Sequence, residues 1–252
     1  MPKKVTIHWA YPDAIRWDNS SVLSREERRK ANAFRFKKHR TLYLASHHFL
    51  RQVLSHYGPL KASEWQYAYN DFGKPSISNA ISEPLFFNLS HTDGMIVCAI
   101  SKTHEVGIDV ERCRPIENFS DLCAYCLHER ERHALSDHHS PSEQTRLFFT
   151  YWTLKEACIK AWGKGFTISP QCFFVTNDTR EQWKAQFTAM SNVECGLELR
   201  ALPMTEHYQM AVAVQSSAAH CSSSHSLTVE ITDSNSADRA CWNSTVLTSE
   251  KG

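Results

Sequence analysis

LFFTYWTLKEACIKAW, residues 147–162, reads as a helix that is apolar on nearly every side. Phe148, Trp152 and Ile159 form one stripe, and Leu147, Tyr151, Leu154, Cys158 and Ala161 form another. A helix apolar all round is a buried helix. Yet this one carries Lys155, Glu156 and Lys160, and Glu156 and Lys160 stand one turn apart on the face of Trp152. Buried charges are costly unless they pair, bind a metal or line a cleft that holds a charged ligand. An i,i+4 pair at the edge of the core meets the first condition. The neighbouring segments supply what the other two require.

Upstream, Val106-Gly107-Ile108-Asp109-Val110-Glu111 alternates as a strand, with Val106, Ile108 and Val110 on one face and Asp109 and Glu111 together on the other. With Glu156 they make three carboxylates, an all-oxygen donor set that suits a hard cation such as Mg²⁺. Lys155 and Lys160 complement phosphate rather than metal. Gly73, Gly94, Gly107, Gly163 and Gly165 lie beside these segments.

Outward from this centre the chain reads as the same plan twice. Val5–Trp9 is a strand, and Ser24 with Glu27 has the spacing of a capping box that starts a charged helix. Residues 37–57 keep helical spacing until Gly58-Pro59. Strands follow at 65–69, 86–91 and 95–100, the last two joined by a Thr92-Asp93-Gly94 turn. After residue 106 come the acidic strand, helices over 117–135 and 143–162, and strands at 172–176, 184–190, 195–201 and 207–214. The expected fold class is α+β: two similar α/β lobes with mainly antiparallel sheets, spanning 1–105 and 106–215. Residues 216–252, rich in Ser, Thr, Asn and His, read as a poorly ordered tail, with a short strand over 227–232 as its one candidate element.

Composition narrows the field. Among 252 residues, 42% are hydrophobic and 22% charged, and 28 basic against 27 acidic side chains leave a net charge of +1. No global field draws the chain to nucleic acid or to a membrane surface. No apolar run approaches the ~20 residues that span a bilayer, and the first residues lack the apolar core of a secretory signal. Nine scattered cysteines read as reduced thiols, which places the protein in the cytoplasm. Cys123 and Cys126 have no second ligand pair for zinc and read as a helix face.

The run Gly107 to Glu111, followed after the spacer 112–151 by Trp152-Thr-Leu-Lys-Glu-Ala157 and Lys160, resembles the signature of 4′-phosphopantetheinyl transferases. It is most similar to their long, monomeric, two-lobed class, the surfactin-synthetase-activating type. Gly73-Lys74-Pro75 and Phe87-Asn-Leu-Ser-His91 match in the same order, and the segment from Phe34 through Lys37 and Ser46 to Arg51 fits less tightly. The likeness covers about residues 20–215. It implies two lobes related by a pseudo-twofold axis and transfer of the 4′-phosphopantetheine arm of coenzyme A to a serine of an apo acyl or peptidyl carrier protein, leaving adenosine 3′,5′-bisphosphate. By that resemblance Asp109, Glu111 and Glu156 hold Mg²⁺. Glu156, or a water it orients, takes the serine proton, and Lys160 and His91 hold pyrophosphate oxygens. Lys74, Pro75 and Ser90 lie along the adenosine part, and Lys37 near the 3′-phosphate. Leu42 stands where the family often has a basic residue, which leaves Lys38 and Arg40 without assigned roles, and Arg51 reads as structural.

Two other classes fit the same residues: a coenzyme A-binding module without turnover, and a Mg²⁺-dependent phosphohydrolase. Trp152 and Trp162 read as core aromatics. Residues 112–128, with Ile116, Phe119, Leu122 and Leu127, offer a docking surface for the carrier if those side chains are exposed.

Overall fold

Alternation along one central strand sets the layers. In β5 (Met95–Ser101) every residue is buried, and its side chains part into two cores. Ile96, Cys98 and Ile100 pack with Ala45, Phe49, Val53 and Leu54 of a long helix, α2 (Lys37–Tyr57). Met95, Val97 and Ala99 pack instead against Val106, Ile108 and Val110 of β6 (Val106–Arg112) and Met210, Val212 and Val214 of β10 (Tyr208–Gln215). The period-2 geometry of a strand makes this division unavoidable. The result is two sheets face to face with a long helix outside each.

The computed structural model describes residues 3–16, 21–138, 140–179, 182–187, 196–215, 227–236 and 242–247. The first half contributes β1 (Lys4–Ala10), α1 (Arg25–Asn32), α2, a small antiparallel pair of β2 (Tyr67–Tyr69) and β3 (Pro75–Ile77), β4 (Phe86–Thr92) and β5. The second half contributes β6, α3 (Phe119–Cys126), α4 (Glu129–Ser136), α5 (Pro141–Trp162), β7 (Phe173–Thr179), β8 (Gln182–Phe187), β9 (Leu197–Thr205) and β10. One sheet runs β12-β11-β1-β5-β4 and the other β6-β10-β9-β8-β7, with β11 (Thr228–Asp233) and β12 (Asn243–Leu247) coming from the chain's last segment. Among the described residues all pairings are antiparallel except that of β1 with β11.

Two expectations are corrected here. The single helix over 117–135 is two helices, because His128 and Glu131 form a capping box that starts a new one. In the tail the candidate strand is present, as Thr228–Asp233 in parallel register with Lys4–Trp9, but a second strand that was not expected, β12, adds beside it. Val229 is buried against Val5 and Ile7, so it is apolar burial on the first sheet that orders a segment of polar composition. Residues 216–226, 237–241 and 248–252 of the predicted tail, and 188–190 and 195 at the ends of two predicted strands, lie outside the described residues. No helix among the described residues is long and apolar enough to cross a membrane.

α5 carries the apolar stretch 147–162. Its lower face buries Leu154, Ala157, Cys158 and Ala161 on the second sheet. Gly107 is what lets it settle there. A Cβ at that position would lie 2.1 Å from the Ala157 carbonyl oxygen and 2.4 Å from the Ala161 nitrogen. Helix and strand therefore touch backbone to backbone, and the next side chains on that face of β6, Asp109 and Glu111, meet those of α5 directly.

Candidate active site

Asp109 is buried at the seam between the two sheets. Its Oδ1 accepts from Lys160 Nζ at 2.7 Å and from the Ser90 hydroxyl at 2.9 Å. Lys160 Nζ also donates to Ser90 Oγ at 3.0 Å and to the Ile108 carbonyl at 3.1 Å. The other oxygen of Asp109, Oδ2, is buried with no hydrogen-bond partner. An orphaned carboxylate oxygen at such depth is costly unless something cationic meets it.

Glu111 is half-buried, with Thr92 Oγ1 3.3 Å from its Oε2, and the Trp152 indole also donates to it. Burial, then the charge of Asp109, pushes its carboxyl above the usual range. Glu156 is more perturbed. Burial first, then Asp109, push it up to about 7 against the opposing pull of Lys160, with Glu111 adding to the rise. Mutual repulsion of this kind requires the carboxylates to share one region of low dielectric. Among the described residues no three His, Cys, Asp or Glu side chains already converge on a common point, and Lys160 takes the cationic place beside Asp109. The donor chemistry nonetheless fits a hard divalent cation: carboxylates only, one of them with a free buried oxygen.

A cleft of about 280 Å³ opens beside this cluster. Phe72, Gly73, Lys74, Pro75, Asn88 and Leu89 line it from the first half, and Glu156, Ile159, Lys160, Gly163 and Gly165 from the second. Glu156, Lys160, Lys74 and Pro75 thus meet as expected. His91, on β4, is exposed. Burial of its surroundings and the nearby Lys160 ammonium keep its pKa below the ordinary value, which favours the neutral ring. Lys37 is exposed at the start of α2 and does not line the cleft, while its neighbour Lys38 pairs with Asp93 at 3.0 Å.

Three of the expected site residues have partners within the protein, and for Lys155 they change the expected role. Lys155 is fully buried, 2.8 Å from Glu131, and its Nζ donates to the Phe173 carbonyl at 2.6 Å. One residue along a helix is a turn of ~100°, so Lys155 faces the core when Glu156 faces the cleft. It is a structural ion pair and not a phosphate ligand. Ser90 donates to Asp109 and accepts from Lys160, which sets its hydroxyl within the acidic cluster. Lys74 lines the cleft with its stem, but its ammonium is held by Glu105 at 2.6 Å and the Ala161 carbonyl at 3.0 Å.

Trp152, expected as a core aromatic, does pack against the core, but its indole also donates to Glu111. Its place one turn before Glu156 was the available signal. Trp162 is a core aromatic, 5.2 Å from the rings of Phe173 and Phe187. Arg51 is structural: buried, paired with Glu27 at 2.8 Å and donating to the carbonyls of Ala62 and Trp65. Of the proposed docking residues, Leu127 is buried and Ile116, Phe119 and Leu122 pack against the core, leaving Tyr125 at 75% exposure.

A family model described as "4'-phosphopantetheinyl transferase superfamily" matches residues 105–213, and one described as "4'-phosphopantetheinyl transferase, N-terminal" matches residues 8–103. The chain belongs to the 4′-phosphopantetheinyl transferase superfamily. It is 35% identical over 156 residues to the 4′-phosphopantetheinyl transferase HetI of Nostoc sp., covering 61% of this chain and 65% of HetI. It is 40% identical over 106 residues to gsp of Aneurinibacillus migulanus (42% of this chain, 41% of gsp). With Sfp of Bacillus subtilis the identity is 30% over 168 residues, 62% of this chain and 66% of Sfp. The matches thus span less than two thirds of the length of these relatives. A solved holo-(acyl-carrier-protein) synthase from Bacillus anthracis in complex with CoA (3′,5′-ADP) aligns at a TM-score of 0.38 and 24% identity over 44% of this chain and 94% of its own, too loosely to bear on the site.

Proposed function

We propose that this protein transfers the 4′-phosphopantetheine arm of coenzyme A to a serine hydroxyl of an apo acyl or peptidyl carrier protein. The observation that carries the reading is Glu156. It lines the cleft with a carboxyl pushed up to about 7, beside Asp109 with its unpartnered buried oxygen. A base with a pKa near neutrality suits removal of a hydroxyl proton. In the proposed step the serine oxygen bonds to the phosphorus that bears the arm, the bond from that phosphorus to the bridging oxygen breaks, and adenosine 3′,5′-bisphosphate leaves. The serine proton passes to Glu156, directly or through a water it orients.

Asp109, Glu111 and Glu156 would hold Mg²⁺, which when bound supplies charge neutralisation for the pyrophosphate. Ser90 keeps Asp109 and Lys160 in line, and Lys160 and His91 offer donors to pyrophosphate oxygens. The Gly73–Pro75 wall would receive the nucleoside, and Lys37, exposed outside the cleft, would meet the 3′-phosphate. We assign the protein two lobes, 1–105 and 106–215, acting as a cytoplasmic monomer, with the carrier approaching near Tyr125. Intact-mass spectrometry of apo-carriers incubated with the protein, coenzyme A and Mg²⁺ tests the reading: the carrier should gain the mass of the arm. Release of adenosine bisphosphate without any carrier, and no mass gain with a broad panel of carriers, would instead make it a phosphohydrolase.

A further inference from the structure

The cleft has two walls from two halves of the chain, and the side chain of Asn70 bridges them. Asn70 Nδ2 donates to the Gly163 carbonyl at 2.7 Å, across the seam, while its Oδ1 accepts from the backbone nitrogens of Phe72 at 3.0 Å and Lys74 at 2.9 Å. Its own nitrogen donates to the Lys74 carbonyl at 3.1 Å. One side chain thus shapes the loop that forms one wall and fastens it to the end of the helix that forms the other. Lys74 repeats the connection through the Ala161 carbonyl, placing a cation at a helix C-terminus where the dipole favours it.

Gly163 is built to this contact. It caps α5 in the left-handed region at φ 67°, and a Cβ there would meet Lys74 Cδ at 2.8 Å and Asn70 Nδ2 at 3.3 Å. The last turn of α5, with Ile159 and Lys160, therefore cannot move away from the 70–75 loop without breaking these bonds. Glu156 lies one turn further back.

We propose that Asn70 is a positioning residue that, with Lys74, presets the spacing of the two cleft walls for coenzyme A. The proposal rests on the function given above. Pre-setting the walls removes an ordering cost from coenzyme binding and leaves the bond-making step alone. Loss of the clasp should therefore appear in the coenzyme KM and spare both kcat and the carrier KM.

Asn70→Asp and Asn70→Ser separate the two tasks of the side chain. Both keep an oxygen that can accept from the loop nitrogens, and neither can donate to Gly163 as the amide does. We expect the coenzyme A KM to rise roughly five- to tenfold, the scale of one lost hydrogen bond. The kcat and the carrier KM should stay within about twofold, the scatter of surface changes. Amide hydrogen exchange over residues 159–165 should quicken in the same variants, with the rest of the molecule unchanged. An unchanged coenzyme KM in both variants, or a joint fall in kcat and Tm without a KM shift, would overturn the clasp. If the unaltered protein modifies no carrier, the functional reading fails by itself. The clasp is then decided by exchange alone, where equal protection in variants and parent refutes it.

Discussion

Gly107→Ala places one methyl group where the structure has no room for it. The new carbon would sit 2.1 Å from the Ala157 carbonyl oxygen and 2.4 Å from the Ala161 nitrogen, both backbone atoms of α5. A tolerable carbon–oxygen separation is above ~3 Å, so α5 must withdraw from β6 by about 1 Å. Overpacking on this scale costs about 1–3 kcal/mol. At the sensitivity of a domain this size that lowers Tm by roughly 2–12 °C. The functional cost should be larger than the stability cost. Glu156 and Lys160 ride on α5, while Asp109 and Glu111 are fixed on β6, so the displacement falls between the members of the cluster. A misplacement of ~1 Å in a reacting constellation costs on the order of 10²-fold. Thermal unfolding and carrier modification rates, measured on the same preparation, test both halves. A variant with parental Tm and kcat/KM would refute the idea that helix and strand touch through Gly107.

Glu156→Gln should leave a deficit of roughly 10²-fold at saturating Mg²⁺, coenzyme and carrier. Asp109→Asn, assigned no proton transfer, should recover with added metal, and full recovery of Glu156→Gln would end its assignment as base. Lys155→Met should destabilise by about 3–5 kcal/mol, because Glu131 is left buried without its partner. The folded fraction should keep its coenzyme KM; a raised KM would return Lys155 to the phosphate site. Glu27 is depressed from 4.5 to about 2, burial being outweighed by the His47 and Arg51 hydrogen bonds. A depressed carboxyl stabilises above its unfolded pKa. About 3 kcal/mol should therefore be present above pH 4.5 and be lost as pH falls toward 2. Glu27→Gln should flatten that stretch of the acid-unfolding curve, and a parallel curve would refute it.

Periodicity was enough to place much of this protein. Residues 37–57 form the expected helix because apolar spacing and Gly58-Pro59 are local signals. Asp109 and Glu111 share a face because strand alternation permits nothing else, and Glu156 and Lys160 share one because they are a helical turn apart. Tertiary structure decided whatever depended on which surface lies opposite. Lys155 and Glu156 are adjacent in the chain and both ionisable, yet Glu131 waits in the core for the first and Asp109 lies near the second. No local pattern announces a partner 24 residues away. The loop of Asn70 and Lys74 reads as a simple turn until it meets the end of α5, 93 residues on. The candidate strand of the polar tail has no partner in the sequence reading; β1 offers it an open edge, and an unpaired row of backbone groups beside buried Val5 and Ile7 holds Thr228–Asp233 there. Spacing determines which side chains travel together, because it is a property of the local backbone. What they face is determined by packing between distant segments, and it was packing that turned one lysine of α5 into an internal strut and left the other in the cleft.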